Sequence, residues 1–216
     1  MSENFKIAID GPGGVGKSTI AKLVAKKLKI DYIDTGAMYR ALGLKMMNLG
    51  MDFTDEDAIK ELLAKTEIDF VDGEIILDGE VVSQLIRTPE VSMAASKVSA
   101  FAFVRKHMVA AQQKMGESKS VIMDGRDICT DVFPDAQYKY FITADAEERA
   151  RRRHKELLEK GQNSSYEQVL ADIKERDHND STRAASPLKK ADDAELLDTT
   201  NMTIDQVVNY ICDKIK

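Results

Sequence analysis

The feature that most constrains this chain is an eight-residue run near its start, Gly11-Pro12-Gly13-Gly14-Val15-Gly16-Lys17-Ser18, which has the spacing G-x-x-x-x-G-K-[ST]. It follows a short apolar segment, Phe5-Lys6-Ile7-Ala8-Ile9. It leads into Ile20, Leu23, Val24 and Leu28 at helical spacing, with Lys22, Lys26 and Lys27 on the other face. Strand, glycine-rich turn and helix in that order make a phosphate cradle. Glycines let the backbone curl so that successive N–H groups point inward, and the helix N-terminus adds partial positive charge. Lys17 can then reach the β- and γ-phosphates of a nucleoside triphosphate, while the Ser18 hydroxyl can ligate Mg²⁺.

The rest of the chain repeats the strand-and-helix rhythm. Ile30-Asp31-Tyr32-Ile33, Val121-Ile122-Met123, Tyr138-Lys139-Tyr140-Phe141-Ile142 and Glu195-Leu196-Leu197 read as further strands. Helical patterns separate them, the longest from about Pro89 to Gln113 and from Ala146 to Lys160. Alternation of this kind predicts an α/β fold with a parallel sheet covered by helices on both faces. One stretch departs from it. From Glu67 to Val82 two Asp-Gly pairs, Asp72-Gly73 and Asp78-Gly79, sit between β-prone runs, the signature of tight hairpins and of a small antiparallel insert. Thr203 with Gln206 three residues later predicts a capping box for the last helix, whose buried stripe is Ile204, Val207, Val208, Ile211 and Ile215.

Composition narrows the function classes. The 216 residues suffice for one well-buried core with small insertions. A net charge of -6 argues against a protein that coats nucleic acid. Cys129 and Cys212 have no metal-ligand spacing and are too few for a disulfide framework, so they read as reduced thiols. No apolar run reaches membrane-spanning length, and the first residues lack the layout of a signal peptide, which predicts a cytoplasmic protein with no membrane partner. Nothing demands more than a monomer. No Asn-Lys-x-Asp segment reads guanine as a switch GTPase would, and a transport or motor ATPase usually needs more chain. A small kinase, with an acceptor pocket and mobile basic segments, fits better.

Further motifs fall where such a kinase needs them, just beyond the carboxyl ends of strands. In Asp34-Thr35-Gly36-Ala37-Met38-Tyr39-Arg40, Thr35 can donate to an acceptor phosphate and Arg40 can clamp it with a bidentate fork; equally, Thr35 could be a helix N-cap and Arg40 a solvated arginine. In Asp124-Gly125-Arg126-Asp127, Asp124 has the position of an acid that holds Mg²⁺, Arg126 that of a second phosphate clamp, and Asp127 that of a base- or sugar-reading acceptor. Arg149-Ala150-Arg151-Arg152-Arg153 is the strongest local positive charge. Beside a phosphate loop it reads as a lid that stabilises charge on the transferring group, with Arg149, Arg152 and Arg153 on one helical face. Its rival reading is an RNA contact. The segment Glu159 to Ser165 supplies a flexible return. Arg176, Asp180 and Arg183 share a helical face, either to clamp sugar and phosphate or as a salt-bridge ladder of little energetic worth.

Taken together, Gly11–Thr19 (GPGGVGKST), Asp34–Arg40 (DTGAMYR), Ile86–Ser92 (IRTPEVS), Asp124–Asp127 (DGRD), Arg176–Asp180 and Ala185–Leu188 (ASPL) closely resemble the bacterial cytidylate kinases, in order and over nearly the whole chain. The resemblance implies a P-loop NTPase core with a five-stranded parallel sheet (about 1–36, 116–147 and 167–216), an NMP-binding insert (about 37–115) and a lid (about 148–166). It implies ATP as donor, with Mg²⁺, and CMP or dCMP as acceptor. On matching positions it implies that Thr35, Arg40 and Arg126 contact the acceptor phosphate and that Ser96, Arg105 and Asp127 read cytosine. Arg176, Asp180 and Arg183 would contact sugar and phosphates. An acidic acceptor such as Asp127 can separate the N4 amino group of cytosine from the O4 carbonyl of uracil. The chain departs from the family's DGRDIGTVV pattern at Cys129 and Asp131, and a Cβ at the first of these predicts an altered turn. The nearest rival reading is a kinase for another small acceptor, such as UMP or shikimate.

Overall fold

A computed structural model describes residues 4–71, 73–159 and 161–215. Asp72 of the first Asp-Gly pair and Lys160 of the proposed return segment lie outside the described residues. The chain divides into two compact units, residues 1–32 with 118–216, and residues 33–117.

In chain order the elements are β1 (Lys6–Asp10), α1 (Lys17–Leu28), β2 (Asp31–Asp34), α2 (Thr35–Asn48), α3 (Glu56–Ala64), β3 (Ile68–Val71), β4 (Glu74–Leu77) and β5 (Glu80–Val81). A 3₁₀ turn at Leu85–Arg87 precedes α4 (Pro89–Val98), α5 (Ala102–Met115) and β6 (Val121–Gly125). A π-helical turn at Ile128–Val132 leads to β7 (Tyr138–Thr143), α6 (Ala146–Glu159), α7 (Tyr166–Thr182), β8 (Glu195–Asp198) and α8 (Ile204–Lys214). The main sheet has the order β2-β6-β1-β7-β8, and β1 pairs in parallel with both β6 and β7, as β7 does with β8. The α/β fold with its five strands is as expected from the sequence.

The central strands are continuous apolar runs because both faces of a parallel sheet are covered. Ile7, Ala8, Ile9, Val121, Ile122 and Met123 are all fully buried. Helix α1 packs Ile20, Ala21, Val24 and Ala25 on this core, and α8 adds Val207, Val208 and Ile211. The expected stripes need two corrections. Leu23 is 38% exposed, because the buried face of α1 runs through the adjacent alanines Ala21 and Ala25; Ile204 is 45% exposed at the first turn of α8. The capping box of Thr203 and Gln206 is present, with both reciprocal hydrogen bonds.

The second unit has its own core, in which Met38, Leu42 and Met46 of α2 meet Ile59, Ile86, Val98, Val104 and Met108. Beside it β3, β4 and β5 form the antiparallel insert that the Asp-Gly pairs predict. Asp78 and Gly79 both have positive φ (50° and 87°), the geometry of a type I′ turn closing a two-residue loop between Leu77 and Glu80. The long pattern from Pro89 to Gln113 is two helices, broken at Ser99-Ala100-Phe101. Apolar side chains recur at helical spacing through the break, and Phe101 is held by ring contact with Phe103 at 5.4 Å. Among the described residues no helix is long and apolar enough to cross a membrane.

Candidate active site

The first unit carries the phosphate loop. Between β1 and α1, Gly11, Gly14 and Gly16 have φ of 150°, 78° and 89°, so the turn runs through backbone conformations that side chains resist. Gly11 also runs so close to β7 that a Cβ there would lie 2.0 Å from the carbonyl oxygen of Ile142. Lys17, the first residue of α1, is 5% exposed and donates from Nζ to the carbonyl of Pro12 at 2.8 Å. Burial, and next the nearby positive charge of Arg126, lower its pKa to about 7, against the pull of Asp124 and Asp10. A phosphate chain in the loop is the counter-charge that favours the ammonium form.

Ser18 donates from Oγ to Asp124 Oδ2 at 3.0 Å, which joins the two residues expected to serve a metal. Tyr32, which the sequence reading passed over, donates its hydroxyl to the other oxygen, Oδ1, at 2.7 Å. A hydroxyl and a buried carboxylate are hard oxygen donors of the kind Mg²⁺ takes, alongside waters and substrate phosphates.

Asp10 was also missed, although it is the last residue of β1 and wholly buried. Its two carboxylate oxygens each accept a backbone N–H at 2.8 Å, from Ile128 and Cys129, so it anchors the segment after Asp127 to the base of the loop. Burial raises its pKa to about 6 in spite of those two hydrogen bonds. Cys129 sits in this turn without a left-handed φ, so its Cβ meets no backbone strain there. Its thiol is buried over the carbonyls of Ala8 and Tyr140, and burial, with Asp10 adding to it, pushes the pKa far above the ordinary thiol range.

An arginine cluster stands over the loop. A Cβ built on Gly13 would come 3.4 Å from Arg126 Nη2 and 3.8 Å from Arg176 Cδ. Arg126 Nε donates to Asp180 Oδ2 at 2.7 Å, and Arg183 Nη1 lies 3.5 Å from Asp180 Oδ1. Burial pushes the Asp180 carboxyl up, but Arg126, Arg176 and Arg183 outweigh it and hold the group below its ordinary range. Arg126 likewise keeps its proton more tightly than usual, since Asp180 overcomes the cost of its burial. With Asp180 only 8% exposed, Arg176, Asp180 and Arg183 are not a solvated ladder. Asp127, at the start of the π-helical turn, is 3% exposed.

The arginines of α6 are placed unequally. Arg149 is buried, donates to the carbonyls of Gly13 (2.9 Å) and Ala144 (3.0 Å), and forms a two-pronged ion pair with Asp177 at 3.1 and 2.6 Å. It braces the phosphate loop at Gly13, and Asp177 is a partner that spacing alone did not single out. Arg152 pairs with Glu148 and reaches the carbonyls of Thr199 and Thr200 at 3.3 Å, while Arg151 also pairs with Glu148 and Arg153 with Glu156. These pairs are exposed and lie within one helix, so they are of the weak kind that a phosphate can displace. Gly161 and Gln162 close the end of α6 by hydrogen bonds to Leu158 and Leu157, and Ser165 caps α7.

In the second unit, Asp34 rather than Thr35 is the N-cap of α2, accepting from Ala37 N at 2.9 Å. Thr35 is the first helical residue and 3% exposed. Arg40 donates to Asp34 at 2.9 Å and is not a solvated arginine. Arg105, 3% exposed, lies with its guanidinium carbon 5.5 Å over the ring of Tyr39 and donates to the Ser99 carbonyl at 3.3 Å. Ser99 Oγ in turn donates to the Ser96 carbonyl at 2.9 Å, so Ser96 and Arg105 are linked through the break between α4 and α5. That break, invisible to helical periodicity, is what joins them.

The cytidylate kinase family profile matches residues 7–216. The cytidylate kinase of Clostridioides difficile is 52% identical over 212 residues, covering 98% of each chain, and that of Carboxydothermus hydrogenoformans is 51% identical over 208 residues, covering 94% of each. A solved structure of an uncharacterized protein from Eubacterium ventriosum matches the fold with a TM-score of 0.53 at 16% identity, covering 99% of this chain and 98% of that one. A phosphate loop roofed by arginines, matched over nearly its whole length by these relatives, places the chain in the cytidylate kinase family.

Proposed function

We propose that the protein transfers the γ-phosphoryl group of ATP to CMP, giving ADP and CDP, and accepts dCMP as well. The observation that carries this reading is the stack of Arg126 and Arg176 over Gly13 of the phosphate loop, in a chain of this family. Transfer is direct and in line, without a covalent enzyme intermediate, because positioning and charge neutralisation carry most of this chemistry. No general base is required, since the acceptor phosphate oxygen is already anionic at neutral pH.

The residue roles follow. Gly11 to Thr19 cradle the donor phosphates, and Lys17 neutralises charge on the β- and γ-groups. Ser18 and Asp124 would hold the nucleotide's Mg²⁺, which supplies further charge neutralisation when bound. Thr35, Arg40 and Arg126 are assigned to the acceptor phosphate; Ser96, Arg105 and Asp127 to cytosine; Arg176, Asp180 and Arg183 to sugar and phosphates. Arg149 acts chiefly by bracing Gly13, leaving Arg152 and Arg153 as the arginines of α6 able to re-pair with a phosphate.

The test is a coupled assay for ADP with ATP·Mg²⁺ and CMP, dCMP, UMP, AMP or shikimate as sole acceptor. Turnover with CMP and dCMP well above the others is the expected result. Equal use of UMP would overturn the assignment of Asp127, and no use of any acceptor would overturn the function.

A further inference from the structure

Tyr32 stands on β2, the edge strand of the main sheet, beside β6, which carries Asp124. Its hydroxyl donates to Asp124 Oδ1 at 2.7 Å, while Ser18 donates to Oδ2 at 3.0 Å. The carboxylate, 4% exposed, thus has a hydroxyl on each oxygen, one from the first turn of α1 and one from the edge strand. Lys22, one turn after Ser18 on the same face of α1, has its Nζ 5.8 Å from the centre of the Tyr32 ring. A single helix face therefore meets both the carboxylate and the phenol that holds it.

The two hydroxyls differ in what they can do. Ser18 belongs to the phosphate loop, and its Oγ rotor can turn the hydrogen away from Oδ2 and offer a lone pair instead. That rotation releases Oδ2 from this hydrogen bond, so that Oγ and Oδ2 can serve a cation together. Tyr32 lies outside the loop, and its oxygen is fixed in the plane of a rigid ring, so Oδ1 stays hydrogen-bonded while Oδ2 changes partner. Asp10 provides the contrast within the same sheet. Its two oxygens accept from the backbone N–H groups of Ile128 and Cys129, donors that cannot rotate, as suits a permanent brace. Hydroxyl partners suit a carboxylate that must trade one hydrogen bond for a ligand.

We infer that Tyr32 is a positioning residue for the metal, holding Asp124 by Oδ1 so that Oδ2 and the Ser18 hydroxyl form a fixed pair of oxygen donors toward a divalent cation. The inference rests on the assignment of Ser18 and Asp124 to the nucleotide's Mg²⁺ and names the residue that orients them. Removing such a partner of a metal ligand typically weakens metal binding by about 10- to 100-fold.

The experiment compares wild type with Tyr32→Phe, which keeps the ring beside Lys22 and removes only the hydroxyl. The probe is Mn²⁺, a hard cation that takes octahedral oxygen sites as Mg²⁺ does, and ADP replaces ATP so that no turnover intervenes. Electron paramagnetic resonance gives the dissociation constant of Mn²⁺ from the enzyme–ADP complex, and calorimetry gives the affinity for ADP in EDTA. The expected result for Tyr32→Phe is a Mn²⁺ dissociation constant raised about tenfold or more, with ADP affinity in EDTA unchanged. Wild-type Mn²⁺ affinity in the variant overturns the inference. So does an equal loss of ADP affinity in EDTA, which is what a merely structural tyrosine would give by disturbing the loop. A wild-type complex that holds Mn²⁺ no more tightly than free ADP does would overturn the metal assignment and the inference with it. None of these measurements uses CMP, so a failure of the proposed acceptor shows itself separately, in the coupled assay.

Discussion

Asp10 sits where β1 ends and the phosphate loop begins, and its burial has a consequence that pH can expose. Its carboxyl titrates at about 6 in the folded protein against an ordinary 3.8, so between those values the folded state binds more protons than the unfolded chain. Stability contributed by this group is therefore full below pH 4 and lost as pH rises through 6, by roughly 3 kcal/mol. Urea unfolding of wild type and Asp10→Asn across pH 4 to 7.5 should show a difference that shrinks by that order toward neutral pH. Parallel curves would mean that the carboxylate is not held in a costly ionised form. At low pH the variant is the less stable, since one amide oxygen cannot accept from both Ile128 and Cys129 and an unsatisfied buried N–H costs about 1–3 kcal/mol. Cys129, two percent exposed beside Asp10, is predicted to be inert: a thiol reagent at pH 8 labels it only as fast as the protein unfolds. Immediate labelling of Cys129 in the native protein would contradict its placement.

At the scale of elements, α2 and α4 cross at a contact that only glycine allows. A Cβ on Gly43 would stand 3.0 Å from both Ala94 Cβ and Ala95 N. Gly→Ala in a helix interior ordinarily stabilises by about 0.5–1 kcal/mol, whereas forcing an atom against backbone in a packed core costs about 1–3 kcal/mol. The second effect wins, so Gly43→Ala should lower the denaturation midpoint of the protein, and a raised midpoint would show that α4 can move aside. Nothing in the sequence around Gly43 signals this, because the constraint comes from the other helix. The same holds for much that the sequence left hidden. Strands, hairpins, the capping box and the phosphate loop are written in local patterns, as the Asp78-Gly79 turn and the Thr203/Gln206 cap show. The break between α4 and α5 carries neither glycine nor proline, so periodicity reads straight through it. Tyr32 and Asp177 matter through partners distant in sequence, Asp124 and Arg149, and Arg149 is held by Gly13 and Asp177. Motif positions were thus legible, while the side chains that brace them were not.

The whole chain carries a net charge of -6, yet Arg126 and Arg176 stand over its phosphate loop, and with Arg183 they surround the single carboxylate of Asp180. A local cationic site in an acidic protein is suited to small polyanions, whose charge it matches at short range. Each unit closes its own hydrophobic core. The central claim is that this site moves a phosphoryl group from ATP to CMP with Lys17 as its least replaceable side chain. The measurement that tests it most directly is the rate of CDP formation from ATP·Mg²⁺ and CMP by wild type and by Lys17→Ala, each checked for the same thermal midpoint. The account predicts rapid CDP formation by wild type and a loss of roughly 10²–10³-fold or more in the folded variant. No CDP from wild type, or wild-type turnover in Lys17→Ala, would contradict it.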